Sequence, residues 1–300
     1  MPRWHTASVP TKDRTAPAPP STAIEAVRAP VDRELERFLG DRRAELAGMD
    51  PSAVALVDVL LRLLHAGGKR VRPALCFWAF RAAGGGEDEP IVPVCAALEL
   101  LHTSALVHDD LMDRDAERRG VDATHVRFAK DAPAGLDPEA FGTSAAVLVG
   151  DLALVLSERL LRTSGFEAGR LDAAMARFDR MRAEMAAGQF LDVSGASDLA
   201  RVRALKTGSY TAEGPVLIGA ALAAAGPEVE GPLRVFGRLV GEAFQLRDDV
   251  SDGEAGTEAV AAVEDLVARA ARALGDAPLR RDGVDALVQI AELLRASGPA

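Results

Sequence analysis

Aromatic side chains are scarce, making up 4% of the 300 residues, and Tyr210 is the only tyrosine. Sheets draw on aromatic and β-branched residues. The long segments here are instead rich in Ala, Leu, Arg and Glu, so an all-α chain is expected. Cysteine is nearly absent: Cys76 and Cys95 are too few for a disulfide framework or a four-ligand zinc site, and both sit in apolar helical patterns as buried thiols. No run of about 18 apolar residues occurs, and no signal-type apolar core follows Arg3, Lys12 and Arg14. The expectation is a soluble cytoplasmic protein with no transmembrane segment. Positive charge is in deficit, with 35 Lys and Arg against 45 Asp and Glu and a net charge of −10. That balance argues against nucleic acid or an anionic membrane held by general electrostatics, and leaves room only for a local basic patch.

What is present reads as one domain. Residues 1–21 are rich in Pro, Ala and Thr and are expected to be a disordered tail, with a single domain over 22–300. Helices are expected from about 23 to 47, with Pro30 marking a boundary, and again from Asp50-Pro51, where Asp caps and Pro opens the first turn. Gly67-Gly68 should end that second helix. Further helices are expected over Ala74 to Ala83, Ile91 to Asp113, Gly142 to Leu161, 166 to 193, Glu258 to Leu274 and Asp285 to Ala296. Pro215 should kink or restart a helix, and another helix beyond Pro227 and Pro232 should end in Asp248-Asp249.

Two acidic motifs carry the chemistry. On the helix ending near residue 113, Asp109 and Asp113 share a face with Asp110 beside them. Unit charges about 4 Å apart repel by roughly 4 kcal/mol at an effective dielectric of 20, so such a cluster calls for cations. Hard oxygen ligands with open positions suit Mg²⁺ completed by water and phosphate oxygens. With 25 Asp in the chain, chance supplies roughly 0.17 DDxxD matches, and two such matches at odds of about 0.015. The pattern recurs at Asp248, Asp249 and Asp252, so coincidence is the weaker explanation. Lys69, Arg70 and Arg72 form an anion clamp at a helix junction, and Arg118 and Arg119 add guanidiniums suited to phosphate.

Taken together, Gly67-Gly68-Lys69-Arg70-Val71-Arg72-Pro73, Glu99-Leu100-Leu101-His102, His108-Asp109-Asp110-Leu111-Met112-Asp113, Arg118-Arg119-Gly120, Gly150-Asp151, Gly188-Gln189-Phe190-Leu191-Asp192, Lys206-Thr207 and Phe244-Gln245 through Asp252 resemble the trans-isoprenyl diphosphate synthases, or polyprenyl synthetases. The motifs fall in family order from about residue 30 to 295. The resemblance implies a bundle of mainly antiparallel helices around a deep central cavity, usually a homodimer. It implies condensation of isopentenyl diphosphate with an allylic diphosphate to a longer all-trans product. Mg²⁺, three ions per site, would be held by Asp109, Asp113, Asp248, Asp249 and Asp252, and Asp109, Asp110 and Asp113 would all be catalytic. Lys69, Arg72, His102 and Arg119 would hold isopentenyl diphosphate, and Arg118 and Lys206 the allylic diphosphate. Thr207, Gln189 and Gln245 would flank the allylic cation. His108 is expected to hydrogen-bond near the first Asp cluster.

Family members that stop at farnesyl carry aromatic residues four and five before the first Asp. Ser104 and Ala105 are small, so growth should pass to a floor at Leu101 and Leu98, with Phe77 or Trp78, giving geranylgeranyl diphosphate or a longer product. One departure stands out. The family's Gly-Asp-Pro, Gly-Lys and further Asp after the second cluster have no counterpart beyond Asp252; Glu254 or Glu258 could supply a carboxylate and Arg247 a cation. Weaker closure over pyrophosphate and a higher Mg²⁺ requirement are expected. Two other readings stand beside the synthase. A terpene cyclase has no second diphosphate for Lys69, Arg72 and Arg119 to hold. A non-catalytic partner subunit would fit the shortened segment but not two intact Asp clusters.

Overall fold

The computed structural model describes residues 22–196, 198, 201, 202, 204–251 and 256–295; the expected tail and Asp252 lie outside them. Helix α1 spans Thr22–Met49. A short 3-10 turn at Pro51–Ala53 leads into α2 (Val54–His65), and the Asp50 side chain accepts from the Ser52 backbone N–H at 2.8 Å, the cap expected there. Helices α3 (Val71–Ala82) and α4 (Ile91–Asp113) follow. A two-stranded antiparallel hairpin pairs Glu117 with Asp122 and Arg118 with Val121. Then come α5 (Thr124–Lys130), α6 (Pro138–Arg162) and α7 (Ala168–Val193). A π-helix at Ala204–Glu213 runs into α8 (Gly214–Leu222), where Pro215 sits in the first turn. The chain ends with α9 (Pro227–Ser251), α10 (Thr257–Gly275) and α11 (Arg281–Glu292).

Pro30 is not a boundary. It lies inside α1, where removing one backbone bond and crowding the preceding turn costs about 3 kcal/mol. Val27 and Val31 flank it at 2% and 0% exposure, so burial on both sides holds the helix through the proline.

The described helices share one hydrophobic core. Helix α3 is its axis, packed on α1, α4, α8 and α11, while α4 lies along α6 and α9 along both α10 and the π-helix. Gly142, Gly219, Gly241 and Gly283 all mark places where backbones approach closely. A Cβ on Gly219 would collide with the Cys76 carbonyl of α3, and one on Gly241 with the Gly208 carbonyl of the π-helix, so these backbones meet directly. Helices α4 and α6 are each long and apolar enough to cross a membrane by length and composition alone. For α4 the apolar surface is core. On α6 part of it faces outward, with Val147, Leu148 and Val155 exposed.

Candidate active site

The first acidic cluster is sorted by burial. Asp109 and Asp113 lie on the inner, accessible face of α4, and the Gln189 amide of α7 donates to Asp109 Oδ1 at 3.2 Å. Asp110 turns the other way, is 1% exposed, and accepts from Arg118 Nε at 2.6 Å; Arg118 Nη2 also reaches Asp115 at 3.0 Å. Burial pushes the Asp110 carboxyl above its ordinary range, with the Arg118 guanidinium pulling against it. Asp110, expected among the catalytic carboxylates, is turned away and orients Arg118, while Asp109 is partly exposed and Asp113 exposed. The hairpin aims the next cation. Arg119 and Gly120 have φ of 55° and 77°, the pair of positive angles a two-residue type I′ turn demands. Glycine takes that conformation freely; Arg119 does so at a cost of about 1 kcal/mol. Its guanidinium then donates to the Gly67 carbonyl.

A cationic cradle forms around that loop. Arg70 (φ 54°, 4% exposed) bonds Asp32 at 2.7 Å, Glu99 at 2.8 Å, and the carbonyls of Leu64 at 3.0 Å and Gly67 at 3.3 Å. A side chain on Gly68 would run into the Arg70 and Arg119 guanidiniums, which is why glycine is needed there. Arg72 Nη2 donates to Thr211 Oγ1 at 3.0 Å, and its guanidinium lies 4.3 Å from the centre of the Tyr210 ring. His102 Nδ1 meets the Tyr210 hydroxyl at 3.1 Å. Burial first, then the charges of Arg72, Arg119, Arg70 and Arg118, holds His102 well below the usual histidine range and therefore neutral. Burial likewise lowers Arg119; Glu99 opposes that, and Arg70, Arg118 and Arg72 add to it. Crowded like charges of this kind are relieved by an anion, and a diphosphate fits both their sign and their number. Lys69 is exposed at the mouth of the cradle.

On α9, Gln245 donates to Asp249 Oδ1 at 2.8 Å, with Asp249 buried and Asp248 exposed at the end of the helix. Lys206 and Thr207 lie on the π-helix, and their side chains are outside the described residues, as are Asp252 and Glu254. Arg247 reaches toward the Leu293 carbonyl at 3.5 Å, on the C-terminal side. Glu258 is exposed at the start of α10. Among the described residues no group of three or more His, Cys, Asp or Glu forms a ready-made metal cage. Pairs of accessible carboxylates that leave most coordination positions to water and phosphate are the donor set Mg²⁺ accepts.

The polyprenyl synthetase family model matches residues 54–269, from α2 into α10. The chain belongs to the polyprenyl synthetase family. Similar members include the geranylfarnesyl diphosphate synthase of Aeropyrum pernix, 37% identical over 63% of this chain and 59% of that one. The geranylgeranyl diphosphate synthase of Methanosarcina mazei is 34% identical over 67% and 60%. The farnesyl diphosphate synthase of Geobacillus stearothermophilus is 31% identical over 79% and 75%. The chain thus spans about three fifths of the length of the first two. Among solved structures, a geranylgeranyl pyrophosphate synthase from Corynebacterium glutamicum superposes with a TM-score of 0.82 at 24% identity, over 93% of this chain and 99% of that one. It carries the same all-α fold.

Several family motifs act differently from their sequence reading. His108 turns toward α6, 3.3 Å from the Val147 carbonyl and 3.8 Å from Asp151, and not into the Asp cluster. Gly150 makes this room, since a Cβ there would fall on the His108 ring. Ser104 is 3% exposed and donates to the Gly150 carbonyl at 2.8 Å, so it faces α6, while Ala105 remains partly exposed. Leu101 and Leu98 are packed in dry core at 0% and 1% exposure. The accessible face of α4 therefore ends near His102, about 10 Å below Asp109 at 1.5 Å per residue. Glu99, Asp32, Tyr210 and Thr211 were not singled out as site residues. Only Glu99 had a signal, as a charge inside an apolar run.

Proposed function

We propose that this polyprenyl synthetase is a Mg²⁺-dependent trans-prenyltransferase that condenses isopentenyl diphosphate with an allylic diphosphate. The observation that carries the reading is the cradle of Arg70, Arg72 and Arg119 around Gly67-Gly68, distinct from the accessible carboxylates of Asp109, Asp113 and Asp248. One diphosphate needs the cations and the other needs metal, so the site is built for two anions. A cyclase would have no use for the cradle.

Mg²⁺ at the two Asp clusters, three ions by the family pattern, would neutralise charge on the leaving pyrophosphate. Asp109, Asp113, Asp248 and Asp249, with Asp252, would hold it. Arg118 and Lys206 seat the allylic diphosphate; Lys69, Arg72, His102 and Arg119 seat isopentenyl diphosphate and orient its alkene. Gln189, Gln245 and Thr207 turn dipoles toward the allylic cation, in a cleft that keeps water from it.

The product is geranylgeranyl diphosphate. The small Ala105 on the open wall supports this length, and the packed Leu101 requires core side chains to move as the chain lengthens. Ala105→Phe should give shorter products, and farnesyl diphosphate as the sole wild-type product would refute the length. The enzyme acts as a cytoplasmic homodimer, joined through the apolar outer face of α6 at Val147, Leu148 and Val155. Light scattering should give twice the chain mass, reverting to one chain mass in Val155→Asp.

A further inference from the structure

Tyr210 is the single tyrosine of the chain, and it touches two of the groups assigned to isopentenyl diphosphate. Its hydroxyl meets His102 Nδ1 at 3.1 Å, and its ring lies under the Arg72 guanidinium at 4.3 Å. The side chain is 4% exposed. Arg72 is fixed at its other end by Thr211, the next residue on the π-helix. The π-helix thus reaches α3 and α4 through consecutive side chains, Tyr210 and Thr211.

A neutral histidine has one donor and one acceptor nitrogen, and the partner of one decides the role of the other. Burial pushes the Tyr210 hydroxyl up to about 12, with Arg72 opposing and Glu99 and Asp109 adding, so it keeps its proton. A buried O–H needs an acceptor. Among the described residues, the hydrogen-bond partner of the Tyr210 hydroxyl is His102 Nδ1. The hydroxyl therefore donates, Nδ1 accepts, and the ring proton sits on Nε2.

We propose that Tyr210 is a positioning residue that sets the tautomer of His102, so that Nε2–H is presented as a donor to the diphosphate of isopentenyl diphosphate, while the Tyr210 ring seats Arg72. The first half of this concerns the free protein. The second rests on the synthase reading given above.

The test uses the full chain labelled with ¹⁵N-histidine. Comparison with His102→Gln assigns the His102 resonances among the five histidines. At neutral pH the wild type should show a bare Nδ1 and a protonated Nε2, and titration with isopentenyl diphosphate should shift Nε2 and leave Nδ1 in place. Tyr210→Phe keeps the ring under Arg72 and loses only the donor. It should show a mixture of tautomers and a KM for isopentenyl diphosphate raised roughly five- to tenfold, with the allylic KM unchanged. Tyr210→Leu should add the loss of Arg72 seating and raise that KM further. A protonated Nδ1 in the wild type overturns the proposal whatever the activity. An unchanged tautomer in a folded Tyr210→Phe overturns it too. A wild type with a protonated Nε2 that binds and elongates nothing would leave the tautomer assignment standing and overturn the synthase reading alone.

Discussion

On the α4 side of the cleft, neighbours from other elements fix the direction of the acidic and basic groups. Asp110 takes Arg118, Asp109 takes the Gln189 amide, and Glu99 takes Arg70. On the α9 side, Gln245 steadies Asp249 four residues along the same helix, and Asp248 stands exposed at its end. On the first wall, Asp109 meets Gln189 and Glu99 meets Arg70, partners 80 and 29 residues away along the chain. A wall held from several elements is organised before substrate arrives, and a carboxylate as exposed as Asp248 gains more of its order from bound metal and diphosphate. The family's extra Lys and Asp are missing on that same second side, and Arg247 leans toward Leu293.

The largest effect should come from the charges themselves. Asp109→Asn should lower kcat by about 10²- to 10³-fold, since a preorganised oxygen is lost. Asp248→Asn should cost less at saturating Mg²⁺ and shift the Mg²⁺ requirement upward. Equal losses, or a wild-type Mg²⁺ titration matching a synthase with the full segment, would erase the difference between the walls.

Glu99→Gln attacks the organised wall. It removes the buried carboxylate that Arg70 pairs with, leaving Asp32 and the Leu64 and Gly67 carbonyls, and should destabilise the fold by about 3 kcal/mol in urea unfolding. The KM for isopentenyl diphosphate should rise more than that for the allylic substrate. Because His102 stays neutral, kcat/KM for isopentenyl diphosphate should show no histidine ionisation from about pH 6 to 8. An inflection there that disappears in His102→Gln would show that the cradle does not hold the ring neutral.

Gly241→Ala attacks the other wall. The new methyl meets the Gly208 carbonyl, so α9 and the π-helix must separate at a cost of about 1–3 kcal/mol. Asp248 on α9 then shifts relative to the π-helix, and kcat should fall with isopentenyl diphosphate affinity preserved.

The smallest effect lies away from both walls. The Arg170 hydrogen bond first, then that of the Gly86 N–H, holds the Glu89 carboxyl below its ordinary 4.5, although desolvation opposes them. A lowered folded value means the contribution is complete above about 4.5 and is lost as pH falls through the depressed value. Glu89→Gln should flatten acid unfolding in that window and leave turnover unchanged.

Much of this was legible beforehand because it is local. The span Ile91–Asp113, the Asp50 cap and the restart at Pro215 follow from periodicity and turn chemistry within a few residues. Pro30 misleads because tertiary burial of Val27 and Val31 outweighs a local preference. The Arg119-Gly120 hairpin is too short to show a strand pattern. The π-helix depends on Gly241 and Gly237 approaching it from α9, contacts that no local window contains. The same holds for Arg70 with Glu99 and for Tyr210 with His102: residue types were readable, and their partners, 29 and 108 positions away, were not.

The central claim is that the cleft holds two diphosphates and joins their chains. Purified protein incubated with isopentenyl diphosphate, geranyl or farnesyl diphosphate and Mg²⁺, with products sized by chromatography, tests it most directly. The account predicts longer prenyl diphosphates and released pyrophosphate only when both substrates and Mg²⁺ are present. A cyclic hydrocarbon formed without isopentenyl diphosphate, or no elongation by the folded protein alone, would contradict it.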